Sequence, residues 1–133
     1  MPTPYSVSIV TPEEALYEGE AELVIARSPE GEFGIMNGHV PFLAALVPGL
    51  VTVVRGGDRR SWIVPGGFLE ASGPADDYHV IVLADDAEVA GDIDAAEAKR
   101  RIQQAQRERE EDVDQSVEAR MRVAMAGPEM GRG

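Results

Sequence analysis

The chain has 133 residues, enough for one medium domain or for a domain of about 90 residues with an appendage, and 44% of it is hydrophobic but only 5% aromatic. A core can therefore form, filled mainly by Val, Ile, Leu and Ala, with few rings to spare for stacking bases or sugars. The net charge of −12 excludes general affinity for nucleic acid, whose phosphates such a surface repels, and the lack of cysteine excludes disulfides, thiolate nucleophiles and Cys-based zinc sites.

The first residues, MPTPYSVSIV, hold no basic start followed by a long apolar run, so no leader is expected. No segment approaches the roughly 20 apolar residues that span a bilayer, and membrane association is expected only through another protein. Next, Tyr5, Val7 and Ile9 alternate with Ser6, Ser8 and Val10, the period of two of a strand with one buried face. Further strands are predicted at Ala21 to Ser28, Phe33 to Met36, Gly49 to Arg55, Arg60 to Val64, Phe68 to Ala71 and Tyr78 to Ala84. Paired glycines in Arg55-Gly56-Gly57-Asp58 mark a hairpin turn, and Ser72-Gly73-Pro74-Ala75-Asp76-Asp77 a looser one. Short strands, frequent turns and no intervening helical pattern predict an all-β antiparallel sandwich or flattened barrel.

After Gly91 the texture changes to Ala, Glu, Arg and Gln. Asp94 and Glu97 have capping-box spacing, and Ala95, Ala98, Ile102 and Ala105 form a narrow stripe of mostly small residues on a helix that ends near Glu110. A short second helix is predicted from about Asp114, with Val117, Met121, Ala124 and Met125 on one face and Gly127-Pro128 as its stop. The expected division is a β domain over 1–91 and a C-terminal helical hairpin with a disordered tail over 92–133. Charge supports it: residues 1–91 carry 14 acidic and 4 basic side chains, net −10, whereas 92–133 carry 10 and 8, net −2.

No catalytic site emerges. The glycines of GEFGIMNGHVPFLAAL (Gly31 to Leu46) match neither phosphate-binding pattern, and no Lys-Ser or Lys-Thr follows them. His39 and His79, the two histidines, lack further His or Cys to complete a metal site. They read as a loop residue bonded to backbone and a strand residue on a polar face. No serine sits in a G-x-S-x-G elbow, and Glu13, Glu14, Glu18, Glu20 and Glu22 read as solvated turn and edge charges. No catalytic residue, cofactor or metal is expected.

An ordered set of residues resembles the epsilon subunit of the F-type ATP synthase, called delta in mitochondria. Val10-Thr11-Pro12 and Leu16-Tyr17-Glu18-Gly19 come first, then Gly31-Glu32-Phe33-Gly34-Ile35-Met36-Asn37-Gly38-His39-Val40-Pro41, which is similar to the family's G-E-x-G-I-x-x-G/N-H-x-P signature. Pro48-Gly49, Gly66-Gly67-Phe68-Leu69-Glu70, Val82-Leu83-Ala84-Asp85 and Ile93-Asp94 follow in family order. The resemblance implies a ten-stranded flattened barrel with a helical hairpin, a non-catalytic rotor subunit of a proton-transporting ATP synthase, on the cytoplasmic face of the bacterial plasma membrane. Its implied partners are the gamma subunit and the c-ring, with transient contact to the beta and alpha subunits. It assigns the c-ring and gamma interface to Glu32, Phe33, Gly34, Met36, Asn37, Gly38, His39 and Pro41. Glu32 would pair with a basic c-ring loop, while the glycines permit close approach and Pro41 fixes a bend.

The chain departs from the family at the hairpin. Where some members bind ATP through I/L-D-x-x-R-A, this chain reads Ile93-Asp94-Ala95-Ala96-Glu97-Ala98, with Glu97 in place of the arginine. A carboxylate repels phosphate, so ATP binding is not expected. The second helix is short against the family's inhibitory form, and Arg120 and Arg122 read first as solvated arginines and second as basic contacts. Asp94, Glu97, Ile102, Val117, Arg120, Met121 and Arg122 are the residues of this regulatory hairpin, whose mostly alanine seam should dock with only a few kcal/mol. The alternative is a small β-barrel that binds a ligand beneath a helical lid, which would need a polar pocket inside the barrel.

Overall fold

Along β1 (Tyr5–Val10) the predicted alternation holds: Tyr5, Val7 and Ile9 are buried and Ser6 and Ser8 face out. The computed structural model, which describes residues 3–91 and 96–111, arranges nine further strands around it and adds a helix, α1, over 96–111. The strands are β2 (Ala15–Ala21), β3 (Leu23–Ser28), β4 (Gly31–Ile35), β5 (Phe42–Leu46), β6 (Gly49–Arg55), β7 (Asp58–Val64), β8 (Gly67–Ser72), β9 (His79–Ala84) and β10 (Glu88–Val89). They form two five-stranded sheets in the orders β2-β1-β9-β8-β5 and β10-β7-β6-β3-β4, a sandwich followed by a helix. All pairings are antiparallel but one, β1 with β9, which run parallel.

Three strands were not predicted from the residue pattern, and each has a physical reason. β2 is an edge strand whose Glu18, Gly19 and Glu20 are exposed, so its alternation is masked by charge. The FLAAL of β5 is an unbroken run with no polar beat to betray a period of two. β10 is two residues long. The candidate strand Ala21 to Ser28 divides at Glu22, where the chain passes from the first sheet to the second and Glu22 N donates to Val54 O at 2.8 Å.

Between the sheets lie Ile9, Ile35, Leu46, Leu69, Val7, Val24, Val64, Val80 and Val82, all essentially inaccessible. The aliphatic filling was expected, but rings join it: Trp62 is the largest fully buried side chain, and Tyr5 and Tyr78 meet edge to face with centroids 5.5 Å apart. The Tyr5 hydroxyl donates to the Ile35 carbonyl. Burial first, and the neighbouring Tyr78 second, hold its pKa well above the ordinary phenol range. On the open side the Arg60 guanidinium lies 5.5 Å from the Tyr17 ring centroid and 5.3 Å from that of Trp62, tying β2 of one sheet to β7 of the other.

The hairpin turn at Gly56-Gly57 is present, with Arg55 paired to Asp58 across it and Gly56 at φ 58. At the start of β8, Gly67 has φ 141, and a Cβ there would lie 2.1 Å from the Leu83 carbonyl oxygen. No other residue fits. Helix α1 is described as far as residue 111, so it includes the expected last turn at Glu110. Of the hairpin residues, Glu97 and Ile102 are described; Asp94, Val117, Arg120, Met121 and Arg122 lie outside the described residues, as do the predicted second helix and tail. Among the described residues no helix is long and apolar enough to cross a membrane.

Candidate functional site

Strand direction sorts the connections to two ends of the sandwich. The β4–β5 loop (36–41), the β8–β9 turn and the Gly56-Gly57 hairpin lie at one end, and the β1–β2, β5–β6, β7–β8 and β9–β10 connections at the other. The 36–41 loop starts where Ile35 leaves the core. His39 N donates to Met36 O at 3.1 Å to close a turn, and Gly38 sits at φ 87, a left-handed conformation with open space around it, so backbone shape rather than crowding selects glycine there. His39 Nδ1 lies 2.8 Å from Val40 O, as expected of a loop histidine bonded to backbone. Its ring rests on Phe42 at 5.5 Å, and Phe33 meets the other side of that cluster with its centroid 5.2 Å from Phe42. Asn37 Nδ2 donates to Ala75 O at 3.1 Å, fastening the loop to the β8–β9 turn. The result is a propped knob that presents Met36 (52% exposed), Val40 (70%) and Pro41.

The sequence-predicted set is thus brought together only in part. Met36, Asn37, Gly38, His39 and Pro41 form the knob, and Phe33 supports it from below. Glu32 and Gly34 point to the outer face of the second sheet instead, because they alternate with Phe33 and Ile35 along β4. Glu32 lines a groove beneath α1 with Arg27, Leu50, Ala98, Lys99 and Ile102.

The register of the first sheet creates a second surface that sequence reading missed. Ala15 pairs with Val10, Val10 with Leu83, Leu83 with Phe68 and Phe68 with Ala45, so one outward row is apolar across all five strands. Leu83 is 53% and Phe68 54% exposed, and Leu43 in the adjoining row is 68% exposed. One row further, Ser72 Oγ lies 3.2 Å from His79 Nε2. No carboxylate engages the other His79 nitrogen among the described residues, so the pair lacks the third member that orients a catalytic histidine. Among the described residues no group of three His, Cys, Asp or Glu side chains is placed to hold a metal ion.

Helix α1 lies along the outer face of the second sheet. Ala98 is its one fully buried side chain among those described, with Ile102 and Ala105 half-buried. At about 1.5–3 kcal/mol for a large side chain wholly buried, this seam contributes no more than about 2–3 kcal/mol. Arg101 pairs with Glu88 of β10, and Arg109 Nη1 donates to Leu46 O at 3.1 Å. Glu97 is occupied within the helix, by Arg100 and by Arg101 Nε at 2.9 Å.

Comparison with known proteins agrees with this geometry. Residues 4–90 match the family model described as ATP synthase, Delta/Epsilon chain, beta-sandwich domain. An ATP synthase epsilon chain of an Anaeromyxobacter species is 45% identical over 101 residues, covering 76% of this chain and 74% of the relative. Another, from Halorhodospira halophila, is 43% identical over 126 residues, covering 90% and 86%. Among solved structures, a chain of the Euglena gracilis mitochondrial ATP synthase (OSCP/F1/c-ring) superposes with TM-score 0.62 at 24% identity, covering 71% of this chain and 58% of that one. A chain of the Tetrahymena thermophila mitochondrial ATP synthase central stalk and c-ring gives 0.55 at 16% identity, covering 77% and 96%.

Proposed function

The chain belongs to the ATP synthase delta/epsilon family, and from that premise we propose that it is a non-catalytic central-stalk subunit of a proton-transporting ATP synthase. It couples the c-ring to the gamma subunit and the catalytic head, on the cytoplasmic face of a bacterial plasma membrane, with transient contacts to beta and alpha.

The observation that carries this reading is the five-strand apolar row Ala15, Val10, Leu83, Phe68 and Ala45, with Leu43 beside it. An apolar row that crosses all five strands, bordered by Glu70 and Glu18 in the adjoining row, suits a broad protein surface and is costly to leave in water. We assign it to gamma. The knob of Met36, Asn37, Gly38, His39 and Pro41 supplies the contact at the c-ring end. Trp62, Leu69 and Val82 are buried in the interior, which favours the stalk reading over the rival one, a lidded ligand chamber.

Phe68→Asp and Leu83→Asp are exposed changes that the fold should tolerate. Each is expected to weaken binding of the purified chain to gamma by about 100-fold, from the cost of placing a carboxylate in an apolar interface. Unchanged affinity in both would sink the assignment. Replacing Met36 and His39 by Ala should weaken capture by the c-ring and leave gamma binding intact. ATP is not expected as a ligand, since Glu97 stands where ATP-binding members of the family carry an arginine and its carboxylate repels phosphate; micromolar heat of binding in calorimetry would refute this. Regulation of hydrolysis by the hairpin is weak, so removing 92–133 should raise the ATPase rate of the assembled enzyme by no more than about twofold, given the small seam.

A further inference from the structure

We propose that Asn37 is a site of spontaneous covalent modification: its side-chain amide is lost to the backbone nitrogen of Gly38, the knob acquires a carboxylate, and its fastening to the β8–β9 turn is cut. The reaction belongs to the chain itself, and only its effect on the c-ring rests on the stalk reading.

Asn37 is the one asparagine in the sequence, and glycine follows it. The hydrogen bond from His39 N to Met36 O puts both residues at the centre of a turn, with Gly38 at φ 87. Three features leave the pair ready to react. A Cβ on Gly38 would meet nothing within 4 Å, so neither a side chain nor a neighbour crowds the nucleophile on that side. The Gly38 N–H has no acceptor among the described residues, so no hydrogen bond must break to free it. Asn37 Oδ1 is buried without a partner, and the amide is held by a single hydrogen bond, Nδ2 to Ala75 O at 3.1 Å. One neutral hydrogen bond holds a group back by only about fivefold.

Gly38 N gives up its proton to solvent and attacks Asn37 Cγ. The N–Cγ bond forms, the Cγ–Nδ2 bond breaks, and Nδ2 leaves as ammonia with a proton regained. Water then opens the cyclic imide at either carbonyl, giving aspartate at 37 or its isomer, in which the chain runs on through the side chain. Water is the sole co-reactant, and nothing is oxidised or reduced. The product has lost the Nδ2 donor and sets a negative charge against the Ala75 carbonyl oxygen, in a turn that already carries the exposed Asp76 and Asp77. Attraction between knob and turn becomes repulsion. The knob is then propped only by its own turn and by the rings of Phe33 and Phe42. In the stalk reading this end meets the c-ring, so the modified subunit would grip the ring less firmly.

Mass spectrometry of the folded full chain, incubated beside a capped peptide of residues 35–40, tests the site. Conversion reads as the mass difference between an amide and an acid, and fragmentation assigns it to the single asparagine. The folded chain should convert no more than about fivefold more slowly than the peptide, the brake of one hydrogen bond. Asn37→Gln, whose longer side chain must close a larger ring, should stay unconverted over the same time. Asn37→Asp supplies the product's charge at once, and should speed amide hydrogen exchange over 73–77 by about fivefold with β1 and β9 unchanged. A folded chain that keeps its amide after the peptide has fully converted overturns the proposal, as does equal conversion in Asn37→Gln. Exchange over 73–77 that is the same in Asn37→Asp as in the unchanged chain overturns it equally, because the fastening would then not have been cut.

Discussion

Trp62, Leu69 and Val82 in the sandwich and Ala98 on α1 are all buried, yet they stand for two ways of holding a structure together. Between the sheets, each strand contributes a large side chain every second residue, and removing one leaves a void that rigid neighbours cannot fill. On α1 the contact face is alanine and one isoleucine, and what fixes its position is a pair of arginines reaching to fixed points on the sandwich. The first arrangement resists any partial opening. The second can open as a unit without disturbing the first, because almost no core atom is shared between them.

Several substitutions break or sharpen this contrast, beginning with the most damaging. Gly67→Ala forces a Cβ to 2.1 Å from a backbone oxygen at φ 141, and should cost more than about 4 kcal/mol in denaturant unfolding, leaving little folded sandwich. Trp62→Ala should cost about 3–5 kcal/mol and also release Arg60 from its stack. Tyr5→Phe deletes the hydroxyl bonded to Ile35 O and should cost about 1 kcal/mol at neutral pH.

The same residue sets an alkaline limit. The Tyr5 pKa is raised by burial in the fold, so above about pH 10 the unfolded chain loses a proton that the folded chain keeps, and stability falls as pH rises. In Tyr5→Phe that decline should be shallower, though not abolished, because burial raises Tyr78 as well. A decline of equal slope in both proteins would rule Tyr5 out as its source. Ile102→Ala, by contrast, should leave the unfolding midpoint of the sandwich unchanged and speed only the exchange of α1. Least of all, Glu88→Gln should shift stability by less than about 0.5 kcal/mol, as exposed ion pairs do. A cost of several kcal/mol at Ile102 would mean the two regions unfold as one.

Local patterns were legible in the chain itself. The alternation of β1, the glycine pair at 56–57 and the helical pattern after Gly91 each depend on residues close in sequence, and the structure has the strand, the hairpin turn and, over the described residues 96–111, a helix. The propped loop was also marked, by the spacing of Gly31, Gly34, Gly38 and Pro41. What could not be read was anything that register alone creates. Ala15, Val10, Leu83, Phe68 and Ala45 come one from each of five strands, and no window of the sequence contains them. For the same reason the placement of Glu32 was missed: whether it faces the loop end or the helix depends on the pleat of β4 and on which face α1 covers.

The parallel pairing of β1 with β9 bears on how the molecule comes into being. The middle strand of the first sheet is the ninth made, so β1 and β2 must wait, side by side and with an apolar flank uncovered, until residues 79–84 arrive to join them to β8 and β5. A nascent chain halted before that point can close neither sheet upon the other, and it offers a sticky margin to whatever is near. Assembly is therefore expected to be late and abrupt on the ribosome, and proteolysis of stalled intermediates should drop sharply once the ninth strand clears the exit tunnel.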